Sequence, residues 1–158
     1  MTEVDEKPAG WTARGLTSVT LSALAALFAF LFLYEDRGAA AGASGIWAFV
    51  TSTLLFHALG GLILGWLLAG AFGRKGAMAW PLAVVAGAVA TLLAGALGGA
   101  LGAILPLMGG TTSIATEMIR IGAAAFVTPL AIAEAPWLAL VWLATVLGLH
   151  YAVRGLRR

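Results

Sequence analysis

Cysteine is absent from this chain. That excludes disulfides, thiolate chemistry and any cysteine-ligated metal or cluster, and it carries no information on compartment. Charge is scarce as well: 10% of the 158 residues are Asp, Glu, Lys or Arg, against about 25% in an ordinary soluble domain. No G-x-S-x-G, P-loop, H-E-x-x-H or dinucleotide fingerprint occurs. The glycine-rich run Gly98-Gly99-Ala100-Leu101-Gly102 lies inside an apolar stretch, so it is no phosphate cradle. The net charge of +2 and pI near 9.5 come without a basic stripe interleaved with aromatics, which excludes a nucleic-acid surface.

What remains is apolar. Hydrophobic residues make up 61% of the chain and the mean hydropathy is +1.00. In water such a surplus would have to appear as large exposed patches, which soluble monomers avoid; lipid removes the conflict. The charges also cluster, at the N-terminus, at 35–37, 74–75, 117–120 and 134, and at the C-terminus, with long uncharged runs between. This pattern predicts an all-α integral membrane protein with four transmembrane helices in an antiparallel bundle.

The expected spans are about 15–34, 46–72, 77–107 and 136–153. Residues 1–14 read as a mobile cytoplasmic tail and 154–158 as a basic cytoplasmic C-terminus. The first run is too long for a signal-peptide core and Glu35-Asp36-Arg37 follow it, so no cleavage is expected, with an Ala-x-Ala pattern in 38–45 as the minor alternative. Gly73-Arg74-Lys75-Gly76 forms a basic turn that makes the second and third spans antiparallel neighbours. The segment 111–135 is harder to place. Its uncharged centre is short, Pro129 interrupts it, and Glu117, Arg120 and Glu134 bracket it. It reads as a short interfacial or re-entrant helix on the non-cytoplasmic side, with one long kinked last helix from about 117 to 153 as the alternative.

Orientation follows from the basic residues. With the N-terminus inside, Lys7, Arg14, Arg74, Lys75, Arg154, Arg157 and Arg158 are cytoplasmic, and only Arg37 and Arg120 lie opposite. Seven against two is a clear positive-inside bias. Tyr34, Trp47 and Trp137 fall at the expected outer boundary, and Trp80 and Tyr151 at the inner one.

Small residues recur every fourth position in the third span: Ala83, Gly87, Thr91, Gly95, Gly99 and Ala103, widened by Gly98 and Gly102. Gly61, Gly65 and Ala69 do the same in the second. Such stripes permit close backbone approach between helices in lipid. They serve either packing of the second span on the third or contact with another subunit. His57 is the one ionisable residue deep within an expected span, so it is a candidate for proton relay or ligand binding. The plainer reading is a neutral imidazole bonded to a backbone carbonyl or to Thr91, expected at similar depth. No Cys, Asp, Glu or second His lies at that depth, so no metal site is expected. His150 is expected at the cytoplasmic interface. Glu117 and Arg120, three apart, form either a solvated pair or, with Glu134, a polar mouth.

The stretch GLILGWLLAGAFGRKG, followed by a glycine-zippered helix, resembles small bacterial glycine-zipper membrane proteins of the transglycosylase-associated type over about a third of the chain. Composition and topology together predict a non-enzymatic, multi-pass subunit of a bacterial inner membrane. It would need no cofactor and would assemble through its Gly/Ala faces as a homo-oligomer or within a larger complex. The alternative is an oligomeric channel or transporter component with His57 on its pathway.

Overall fold

The structure, a computed structural model, describes residues 9–35 and 46–157. The expected assignments of Lys7, Arg37, Arg158, the loop 36–45 and the Trp47 side chain fall outside this description. The described chain is helical, without strands: α1 (Trp11–Glu35), α2 (Ile46–Leu68), a 3-10 turn (Ala69–Ala71), α3 (Ala79–Met108), α4 (Ile114–Ala125), α5 (Val127–Glu134) and α6 (Leu138–Leu156). Four of these, α1, α2 with its 3-10 turn, α3 and α6, are long and apolar enough to cross a membrane. Helix α1 begins at Trp11, so residues 11–14 belong to the helix and not to a tail.

Local chemistry ends each element. Gly73 (φ 74°) and Gly76 (φ 102°) turn the chain between α2 and α3 in the left-handed region that glycine adopts without strain. At the other end of α3, Gly110 (φ 65°) completes a Schellman cap: the Thr111 N–H donates to Pro106 O at 3.1 Å and the Gly110 N–H to Leu107 O at 3.2 Å. Ser113 then caps α4, its Oγ accepting from the Thr116 N–H at 3.2 Å. Pro129 has no N–H for the Ala125 carbonyl, so α4 cannot run on past Phe126. Helices α4 and α5 meet there at 48°. Pro136 disfavours helical backbone at Ala135, which is extended (φ −131°, ψ 83°), and so ends α5.

The glycines show which helix lies against which. A Cβ on Gly60 would collide with the Ala94 carbonyl, and one on Gly98 would sit 2.7 Å from Phe56 O, so α2 and α3 run in opposite senses in close contact. A Cβ on Gly61 would sit 2.6 Å from Leu21 O and one on Gly65 2.6 Å from Ser18 Cα. Gly61 and Gly65 therefore face α1. This corrects the expectation that they meet the third span; Gly60, their neighbour, does so instead.

Helix α3, about 45 Å long, carries two partners end to end. Gly95 and Gly99 face Ala124 and Ile121 of α4, while Gly87 faces Val146 and Trp142 of α6. So α4 lies along the C-terminal half of α3 and α6 along the N-terminal half. Trp137, expected at the outer boundary, lies by this register beside the middle of α3. Helix α5 packs mainly on α1, and α6 on both α1 and α3. The buried apolar core is built from Leu21, Leu24 and Phe28 of α1, Phe72, Ala83, Ala86 and Ala90 near α3, and Leu138, Val146, Leu149 and Val153 of α6.

Gly73 joins several of these constraints. Its N–H donates to His150 Nδ1 at 3.2 Å, and a Cβ there would sit 2.7 Å from Val153 Cγ1. Gly73→Ala therefore combines an unfavourable φ with a clash, and is expected to destabilise the protein by about 2 kcal/mol. Gly76→Ala shares the φ penalty but meets nothing within 4 Å. Thermal unfolding of the two variants in detergent should place Gly73→Ala well below Gly76→Ala.

Candidate functional site

The buried polar side chains fall into a series along α3. Helical rise converts the contact registers into depth at 1.5 Å per residue.

Glu117 is the only buried side chain of α4, at 2% exposure. Its carboxylate lies 3.4 Å from Arg120 Nε, an ion pair whose Arg side is half exposed. Glu117 Oε2 accepts no hydrogen bond among the described residues. Arg120 Nη2 comes within 3.5 Å of a Cβ position on Gly102, beside the Phe56 ring. The pair thus sits opposite residues 102–103, about 9 Å short of the end of α3. It is recessed beside the apolar run, a feature that residue spacing alone did not reveal. Glu134 is exposed at the end of α5 and takes no part in the pair.

His57 lies one step further in, opposite Leu97 and Gly98, at 5% exposure. Its Nδ1–H donates to Thr53 O at 2.9 Å. A carbonyl only accepts, so Nδ1 carries the proton and Nε2 presents a bare lone pair in the neutral ring. Nε2 is buried with no partner among the described residues. Of the two partners expected in the plainer reading, a backbone carbonyl is the one used; the bond to Thr91 is not formed, and the two residues do not share a depth. Thr91 lies six residues along α3 from Leu97, about 9 Å away. Its hydroxyl donates to Gly87 O and accepts from Trp142 Nε1 at 3.1 Å.

Beyond Thr91 the series continues. Ser18 of α1, beside Gly65, is buried with an Oγ that lacks a partner among the described residues. By the α2 register it lies near residue 89 of α3. His150, at 2% exposure, lies near residue 83. Residue 83 is about one turn from the start of α3, so His150 is buried within the protein yet close to the end where it was expected. Its Nδ1 accepts from Gly73, which leaves the proton of a neutral ring on Nε2. Thr128 of α5 is buried beside Thr91 and Trp142. Together with Leu92, Pro129 and Ile132 these three line an apolar cleft of about 250 Å³ at the break in the helices.

The stripe residues have other duties. Gly61 and Gly65 serve α1; Gly87 serves α6; Gly95 and Gly99 serve α4; Gly102 accommodates Phe56 and Arg120. Each of these glycines is occupied by a contact within the chain. Among the described residues no group of three or more His, Asp or Glu side chains converges as a metal site.

Comparison with protein-family models, with curated proteins and with solved structures finds no match.

Proposed function

We propose that this chain is a non-enzymatic integral membrane protein that passes protons along the series Glu117, His57, Thr91 with Ser18, and His150. The observation that carries this reading is the unpartnered, buried Nε2 of His57. An unsatisfied acceptor at such a place costs about 1–3 kcal/mol, and an ionisable group within a membrane is costly and functional by default. Its neighbours in the series are offset by about 8–9 Å along α3 on each side, a gap that transient waters would have to bridge.

In this reading the four crossings form an antiparallel bundle with both termini cytoplasmic, in a bacterial inner membrane. The fourth crossing is α6, which lies along the N-terminal part of α3, and α4 lies along the rest, with α5 at the break between them. Broken helices of this kind are where transporters place polar groups near the midplane. The assembly subunit expected first from the sequence drew on glycine faces, and those faces are filled by the chain's own helices. That leaves lipid as the partner of the exposed apolar surface, including Ile114, Met118 and Ile119 of α4.

The test is proton uptake into liposomes under an imposed potassium diffusion potential, read with an entrapped pH dye. Wild-type protein is expected to conduct above empty liposomes, and Glu117→Gln to conduct several-fold less. A wild-type rate equal to that of empty liposomes overturns the proposal.

A further inference from the structure

We propose that the corner formed by Trp11, Arg14 and Trp66 binds the phosphate of an anionic phospholipid. Arg14 is held in place on two sides. Its Nε–H donates to Ala9 O at 3.2 Å, and its guanidinium lies 5.6 Å from the centre of the Trp66 ring. Both contacts fix the plane of the guanidinium. They leave its two Nη groups, which donate to nothing among the described residues, as a fork. A planar fork of this kind matches two oxygens of one phosphate. Trp11 closes the other side, its ring meeting Trp66 edge-on at 5.1 Å while remaining 82% exposed. An indole this exposed, set against the half-buried Trp66, belongs at headgroup depth.

The surrounding charge favours the same occupant. Arg74 and Lys75 follow α2, and Arg154 and Arg157 end α6. Arg157 Nη2 and Arg74 Nε lie 3.2 and 2.9 Å from one oxygen, Gly70 O, which draws both cations to the end of α2. Arg14 joins them because α1 starts where α2 stops. Of the described acidic side chains, Glu117 and Glu134 lie elsewhere, while Glu3, Asp5 and Glu6 precede Trp11 in the sequence outside the described residues. Each cation near a membrane surface adds to the attraction of anionic lipid. The cation–aromatic contact then gives the field one defined docking point.

The inference rests on the membrane placement proposed above and not on proton passage. The test compares protein in nanodiscs of phosphatidylcholine alone with nanodiscs of equal parts phosphatidylcholine and phosphatidylglycerol, by thermal unfolding and by native mass spectrometry of retained lipid. Wild-type protein is expected to melt several degrees higher with phosphatidylglycerol and to retain it. Arg14→Gln should weaken retention roughly tenfold, the loss expected for a hydrogen-bonded charge. Arg14→Lys should recover part of it, and Arg154→Gln should cost less than Arg14→Gln. Equal losses in Arg14→Gln and Arg154→Gln would mean diffuse attraction and overturn the site. Equal stabilisation by inorganic phosphate in detergent would overturn the lipid as its occupant. Release of the protein from membranes by alkaline carbonate would overturn the placement and the site together, whereas retention with equal melting in both lipids overturns the site alone.

Discussion

Gly95→Leu is expected to unseat α4 and to lower the melting temperature by about 10 °C. Even a bare Cβ at this position collides with the Ala124 carbonyl, which is backbone and cannot rotate away. The only relief is to move α4 off α3. Overpacking of this kind costs about 1–3 kcal/mol, and the upper end applies where the obstacle is main chain. For a chain of this size each kcal/mol is worth about 2–4 °C. Gly148→Ala in α6 meets nothing within 4 Å and serves as the control; it should melt with the wild type. The absence of cysteine supplies a second reading. Ile119→Cys adds a unique thiol on the exposed face of α4, and its labelling rate should rise when Gly95→Leu is added. Equal melting of Gly95→Leu and Gly148→Ala would mean that α4 does not rest on α3.

His57→Leu is expected to raise stability and abolish proton passage in one substitution. The imidazole brings an unsatisfied nitrogen into the bundle, at a cost of about 1–3 kcal/mol. Leucine of similar bulk removes that cost and gives up only a bond to the carbonyl of Thr53, within its own helix. A gain of about 1 kcal/mol, or a rise of about 2–4 °C, should therefore accompany a loss of at least tenfold in flux. Stability lost where activity is gained is the usual signature of a working site. A destabilised His57→Leu would instead show that Nε2 has a partner, and unchanged flux would remove His57 from the path.

The long helices were legible because they need little more than an uninterrupted apolar run, and α2 with its 3-10 turn and α3 begin and end within about two residues of expectation. Their neighbours were harder to read. A small residue every fourth position says that something approaches the helix closely, but not which helix does. Gly60 and Gly61 make the point: successive residues differ by about 100° around a helix, so one meets α3 and the other α1. The site was partly legible. His57 and Glu117 stand out as ionisable residues near apolar runs, whereas Ser18, the depth of His150 and the bond from Trp142 to Thr91 depend on which helices touch. Pro129 marked a break, yet its place beside the middle of α3 follows only from the contacts of Gly87 and Gly95.

The two-piece partner of α3 bears on how the chain is made. In a bilayer, α4 emerges from the ribosome before α6, and its 12 residues include an ion pair. A segment of that length is too short to be taken up as a span of its own. On the proposed placement, seating of α4 on the glycine face of α3, with Glu117 turned inward, would follow the entry of α6 and need no insertion machinery of its own.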